Sequence, residues 1–183
     1  MSKLICELIV SVDGFAKGQR SPGYFGYLGP DFADWIKTNS AAAHRMLIGR
    51  RTYELLQELP IEARDKAWET MKTTPGWLFS RTLETADWPG LTVVRDDMVD
   101  FVRELKRGDG PELRTLGSLS LVWQLLIAGL VDRLKLFVCP LILPQTGAEP
   151  IFHRLPDMGF DQGAGWACAA PGIPTGRGTA LQR

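Results

Sequence analysis

The sequence predicts an α/β fold, with a central, mostly parallel sheet flanked by helices on both faces. Two observations carry that expectation. Short apolar runs alternate with helix-period segments along most of the chain, and glycines punctuate the junctions where strands end and helices begin. A third sets the scale: 183 residues, 45% apolar and 23% charged, have the length and composition of one ordinary globular domain.

Leu4 to Val12 is apolar apart from Cys6, Glu7 and Ser11 and is broken by Asp13-Gly14, which reads as a buried first strand. Gly18 to Pro30 then mixes four glycines, two prolines and three aromatics, and a loop of that length is more often functional than idle. Asp31 can cap a helix in which Phe32, Trp35 and Ile36 fall at i, i+3 and i+4, running towards Ala43. Met46-Leu47-Ile48 is a strand stopped by Gly49, with a helical stretch from Thr52 to Leu59. Ile61 to Met71 reads as a charged helix, and Trp77-Leu78-Phe79 and Thr92-Val93-Val94 as strands. Asp96 is the expected cap of a helix in which Val99, Val102 and Leu105 recur, with Gly108 just past its end. Leu113 to Leu116 is a strand, Leu119 to Ala128 a helix closed by Gly129, and Leu134 to Leu143 a long strand. From Gly159 to Arg183 the pattern gives way to six glycines, five alanines and two prolines, a composition that an altered reading frame near the 3′ end of the gene would produce. The expected domain is therefore 1–158, with 159–183 an atypical C-terminal segment.

The 21 basic and 21 acidic side chains cancel, which argues against the basic surface that nucleic-acid or anionic-membrane binding needs. Cys6, Cys139 and Cys168 are odd in number and far apart, and with only His44 and His153 to join them they predict neither a disulfide framework nor a metal site. No apolar window reaches the roughly 18 residues of a membrane span, and the stretch after Met1-Ser2-Lys3 is interrupted at Glu7, so the expected location is cytoplasmic.

Two junctions share one design: Ile48-Gly49-Arg50-Arg51-Thr52 and Leu116-Gly117-Ser118-Leu119-Ser120 each end a strand in glycine and start a helix within a few residues. Glycine lets an anion approach the backbone, and the first N–H groups and positive dipole end of a helix stabilise it there. Two such sites suit a pyrophosphate, although strand-glycine-helix junctions are common in any α/β protein. Arg50, Arg51 and Arg81, the last within Ser80-Arg81-Thr82 after another strand, bring guanidinium and hydroxyl groups suited to a phosphate monoester, as on the 2′ position of adenosine; taken singly, the plainer reading of a solvated surface charge or an ordinary turn prevails for each. No G-x-G-x-x-G follows a strand, and P-loop, G-x-S-x-G and H-E-x-x-H signatures are missing, which argues against a Rossmann dehydrogenase, a nucleotide triphosphatase, a serine hydrolase and a zinc protease.

Ser11-Val12-Asp13-Gly14-Phe15, Leu47 to Glu54, Leu78 to Leu83, Leu116-Gly117-Ser118 and Gly129 to Leu134 resemble, in order and spacing, the dihydrofolate-reductase-like superfamily. The branch is that of the reductase domain of bifunctional riboflavin-biosynthesis proteins, and the resemblance spans about residues 3–153. It implies a dihydrofolate-reductase-like fold, NADPH as hydride donor, a small nitrogen heterocycle as acceptor and a homodimer. The implied cofactor contacts are Gly49, Arg50, Arg51 and Thr52, then Ser80, Arg81 and Thr82, then Gly117, Ser118, Leu119 and Ser120. Asp13 and Gly14 would border nicotinamide and substrate, while Trp35 and Tyr53 could stack on a flat ring or pack in the core. Dihydrofolate reductases carry a carboxylate three residues before a tryptophan on the first helix. Here Phe32 stands at that spacing from Trp35, flanked by Asp31 and Asp34, so Asp13, Asp31 and Asp34 are the candidate groups for substrate orientation or proton supply, with a helix cap and a solvated face as the plainer roles of the last two. The implied activity resembles that of 5-amino-6-(5-phosphoribosylamino)uracil reductase. The alternatives are a dihydrofolate or pteridine reductase and a non-catalytic dinucleotide-binding protein.

Overall fold

The apolar runs become strands and the amphipathic runs helices in the computed structural model, which describes residues 1–20, 30–40, 43–61, 64 and 66–153. In chain order these are β1 (Leu4–Ser11), β2 (Phe15–Gly18), α1 (Pro30–Ser40), β3 (His44–Gly49), α2 (Arg50–Gln57), α3 (Lys66–Thr73), β4 (Gly76–Phe79), β5 (Leu91–Val94), α4 (Met98–Arg107), β6 (Glu112–Thr115), α5 (Leu119–Ile127), β7 (Arg133–Cys139) and β8 (Gly147–Pro150). Among the described residues six strands form the central sheet in the order β5-β4-β3-β6-β1-β7, and every pair in it is parallel. β2 and β8 form a separate antiparallel pair.

Side chains alternate across a strand, and β3 shows what that does here. Leu47 points to one face, where Leu4, Cys6, Leu8 and Val10 of β1 and Leu113 of β6 meet Val102 of α4 and Leu121, Val122 and Leu125 of α5. Met46 and Ile48 point to the other, joining Leu78 of β4, Tyr53 of α2 and Trp88, with Met71 of α3 packed against them. Both faces of the sheet therefore carry helices, as the sequence predicts. Each fully buried Leu or Val contributes roughly 1.5–3 kcal/mol.

Several element ends differ from expectation. The cap of α4 is Asp97 and not Asp96: its carboxylate accepts from the N–H groups of Val99 at 3.0 Å and Asp100 at 3.1 Å. α1 begins at Pro30, so Asp31 lies in its first turn and is not its cap; proline suits a first helical position because its missing N–H would have no partner there. α2 starts at Arg50, directly after Gly49. β7 stops at Cys139, because Pro140 has no N–H to continue a ladder. At the end of α5, Gly129 takes φ +65°, which lets its N–H reach Leu126 O and that of Leu130 reach Leu125 O, the closure expected of it. Most of the glycine-aromatic loop, residues 21–29, and the whole of 159–183 lie outside the described residues.

The chain ends of three elements meet at Asp132. Its carboxylate takes the N–H of Leu4 at 2.7 Å and the ammonium of Lys106, whose own side chain also reaches Leu130 O. Partial burial pushes the Asp132 carboxyl up, but the Lys106 hydrogen bond, the Leu4 N–H and the charges of Lys106 and Lys3 outweigh it and hold the group below the usual carboxylate range. A depressed folded-state value means that the carboxylate stabilises the fold at pH values above its unfolded pKa, and that this contribution is lost as pH falls through about 4 and below. Asp132→Asn is expected to cost about 1 kcal/mol near neutral pH, a figure kept small because the solvent screens a carboxylate that is 43% exposed. In denaturant titrations the gap between wild type and variant should narrow as pH falls below about 4; an equal gap at acid and neutral pH would contradict the assignment.

Candidate functional site

Register places the C-terminal ends of β4, β3 and β6 side by side, with Gly49 opposite Phe79 and Leu47 opposite Thr115. The residues that follow these strands meet in one open cleft of about 360 Å³. Gly49, Arg50, Arg51 and Thr52 enter it from the β3–α2 junction, Ser80, Arg81 and Thr82 from the end of β4, and Ser118 and Ser120 from the β6–α5 junction. The structure thus brings together the three separate segments that the sequence singled out. Gly117 and Leu119 do not line the cleft: Gly117 turns the chain at φ +54°, and Leu119 packs towards the core.

Among the described residues the cleft carries three arginines and no carboxylate, in a chain whose formal charges cancel. Arg50 is tied to Glu54 one turn along α2 at 2.9 Å. Arg51 and Arg81 are exposed and have no hydrogen-bond or ion-pair partner among the described residues. Neither α2 nor α5 has a side-chain cap, so the first N–H groups of both helices are left for solvent or a ligand.

Three hydroxyls are spoken for. Ser80 Oγ accepts the N–H groups of Thr82 at 3.2 Å and Leu83 at 3.0 Å, so it holds the turn that presents Arg81. Ser118 Oγ accepts the N–H of Gly49 at 2.7 Å and lies 3.0 Å from Thr52 Oγ1, which accepts the N–H of Ser118 at 3.1 Å. The Gly49 N–H is therefore not a free anion donor, contrary to the simplest reading of a glycine at that junction. Phe79, Met98, Leu121 and Gln124 complete the lining and were not singled out from the sequence. Gln124 lies one helical turn beyond Ser120, a spacing that could have flagged it; Met98 is brought in from α4 by tertiary packing alone.

The expected substrate-side residues lie elsewhere. Tyr53 is not available to stack on a ligand: it is 5% exposed, packs edge-on against Trp88 with ring centres 5.4 Å apart, and its hydroxyl accepts from Asp87 N–H at 2.9 Å. Asp13 has both carboxylate oxygens engaged, one by the Ser11 hydroxyl and the other by Leu143 N–H, each at 2.7 Å. The Ser11 hydrogen bond, opposed by slight desolvation and helped by Leu143, holds the Asp13 carboxyl below the usual range, so near neutral pH it is an anchor and a poor proton donor. Gly14, at φ +83°, accepts Ile151 N–H at 2.9 Å through its carbonyl, which with Asp13 ties the end of β1 to the segment after β7. Asp31 and Asp34 are exposed on α1. Burial pushes the Cys139 thiol up and the charge of Asp31 adds to that, while Asp31 is not among the residues that line the cleft. The side chain of Trp35 lies outside the described residues. Burial pushes the Cys6 thiol up to about 12, so it is inert at neutral pH. No helix among the described residues is long and apolar enough to cross a membrane.

Comparison with known proteins agrees with this architecture. The chain is 26% identical over 157 residues to a Bacillus subtilis (strain 168) protein described as the uncharacterized protein YyaP, covering 82% of this chain and 80% of that one. Among solved structures it is similar to a putative riboflavin biosynthesis protein from Shewanella sp. PV-4, with a TM-score of 0.58 and 18% identity over 84% of each chain. A pyrimidine reductase-like protein from Corynebacterium diphtheriae gives a TM-score of 0.57 and 16% identity over 87% of this chain and 83% of that one. A diaminohydroxyphosphoribosylaminopyrimidine deaminase/5-amino-6-(5-phosphoribosylamino)uracil reductase from Thermotoga maritima gives 0.58 and 13%, covering 86% of this chain and 50% of that one. These identities speak for the fold alone. The sequence itself carries the assignment: residues 2–161 match the RibD C-terminal domain, so the chain belongs to that family, and its fold is that of the dihydrofolate-reductase-like superfamily.

Proposed function

We propose that the protein is an NADPH-dependent reductase that delivers a hydride to a small nitrogen heterocycle, in the manner of a 5-amino-6-(5-phosphoribosylamino)uracil reductase. The observation that carries this reading is the cleft itself, with three arginines, no carboxylate among the described lining residues, and two uncapped helix N-termini converging on one space. These residues fit an anionic dinucleotide. Sites for NADH commonly meet the ribose 2′-hydroxyl with a carboxylate, whereas guanidinium groups suit a 2′-phosphate. Arg81, presented by the Ser80 turn, and Arg51 would hold that phosphate, and the first N–H groups of α2 and α5 the pyrophosphate. Phe79, Met98 and Leu121 supply an apolar wall that excludes water from the bound face. When bound, NADPH supplies the hydride; the chain binds it, orients it and neutralises its charge. The acceptor would lie towards the end of β1, near Asp13 and Gly14. We further propose a homodimer working in the cytoplasm.

A second reading, a dinucleotide-binding protein without turnover, is favoured by one observation: none of Asp13, Asp31 and Asp34 lines the cleft. Thermal-shift titration with NADPH and NADH separates these possibilities from a protein with no cofactor. Saturable stabilisation by NADPH in preference to NADH is expected, and loss of NADPH absorbance with a pyrimidine or pterin acceptor would mark a reductase. Binding without oxidation across such acceptors would mark the second reading, and failure to bind either dinucleotide would remove both.

A further inference from the structure

A serine that precedes a helix usually sits in extended backbone and turns its hydroxyl onto the first N–H groups of that helix. Ser118 does neither. It has φ +57° and ψ +62°, a left-handed conformation that a side chain disfavours, and it makes no side-chain cap on α5. Its hydroxyl points instead to the neighbouring β3–α2 junction, where it takes the Gly49 N–H and meets Thr52 Oγ1. The contact is close: a Cβ on Gly49 would stand 3.2 Å from Ser118 Oγ, and one on Gly117 would stand 3.3 Å from Thr52 Cγ2. A strained backbone and a forgone cap are two local costs at one residue, and such departures persist where the surroundings or the function demand them.

We propose that Ser118 and Thr52 form a clasp that positions the cleft for an anionic diphosphate group. The clasp fixes the separation of the two helix N-termini, and the left-handed turn keeps the N–H groups of Leu119 and Ser120 uncapped and facing the ligand. Ser118 is a positioning residue, since its hydroxyl is consumed within the protein. This rests on the anionic cleft described above and adds a role that the cleft's arginines do not fill.

The test uses the full chain and two probes, NADPH and inorganic pyrophosphate, with binding and melting temperature measured together. Ser118→Gly removes both the backbone strain and the hydroxyl. It should leave the melting temperature unchanged or raised while weakening both probes at least tenfold. Thr52→Val should weaken them similarly, and Thr52→Ser, which keeps the hydroxyl, should restore affinity; a residue that served stability alone would not lower affinity without lowering the melting temperature. If wild type binds NADPH and Ser118→Gly binds both probes as tightly, the clasp is overturned and the reductase reading stands. If wild type binds pyrophosphate but not NADPH, and Ser118→Gly loses it, the clasp stands and the reductase reading falls. Binding of neither probe by wild type overturns both.

Discussion

Replacing Arg51 and Arg81 together with alanine is expected to lower NADPH affinity by about 100-fold or more, with little change in the stability of the free protein. Each guanidinium in a charge-assisted hydrogen bond to phosphate is worth about 1.5–3 kcal/mol, or roughly tenfold or more in affinity. Both side chains are exposed and neither has a hydrogen-bond or ion-pair partner among the described residues, so truncating them removes contacts to a ligand and none to the fold. Arg50 should matter less, since its charge is already shared with Glu54. The difference between NADPH and NADH should shrink in the double variant, because the 2′-phosphate is the group that distinguishes them. Calorimetric titration of both dinucleotides checks this. Affinity within about threefold of wild type, a change under about 1 kcal/mol, would take the two arginines out of the site.

Trp88→Ala has the largest expected effect on stability, a loss of about 3–5 kcal/mol. Trp88 has no exposed surface and sits edge-on to Tyr53 of α2 and to Trp68 of α3, with ring centres at 5.4 and 6.3 Å. Its indole N–H donates to Gln57 Oε1 at 2.9 Å, while the Gln57 amide reaches Tyr53 Oη and Asp87. Removing the ring leaves a cavity and strips the Gln57 carbonyl of its donor. For a domain whose whole stability is of order 5–15 kcal/mol, that loss leaves little in reserve. α2 loses one of the side chains on which Tyr53 packs, so the arginines at its start should bind NADPH more weakly even in the molecules that remain folded. Urea unfolding measures the first effect; a loss below about 1 kcal/mol would mean that the cavity collapses or that the ring contributes little.

How far the residues disclosed this arrangement varies with the physics of each place. The three strand ends at the cleft were legible because glycine, arginine and hydroxyl residues punctuate apolar runs, and a parallel sheet brings such ends to one edge. β2 and β8 were not legible: Phe-Ala-Lys-Gly and Gly-Ala-Glu-Pro carry no alternating pattern and find each other only through the fold. Asp96 and Asp97 are equivalent in sequence, and backbone geometry alone selects the second as the cap. Tyr53 recurs at core spacing with Leu56 on α2, so its burial could be read while its direction, towards Trp88, could not. In sequence Ser118 is part of a glycine turn between a strand and a helix. Its left-handed turn depends on the approach of Gly49 and Thr52 from 66 residues earlier, which no local pattern announces.

The placement of β1 also bears on how the protein reaches this state. β1 lies between β6 and β7, and Leu4 is anchored to Asp132, 128 residues further along the chain. β3, β4 and β5 pair in succession and can assemble early, but β1 cannot be enclosed until the last strand of the central sheet has been synthesised. Closing so long a loop precedes the contacts that reward it, which slows the search and leaves the apolar run Leu8-Ile9-Val10 exposed in the meantime. The rate of refolding should therefore be limited by capture of the first strand, and crowding or high concentration during synthesis should favour association through that strand over its insertion.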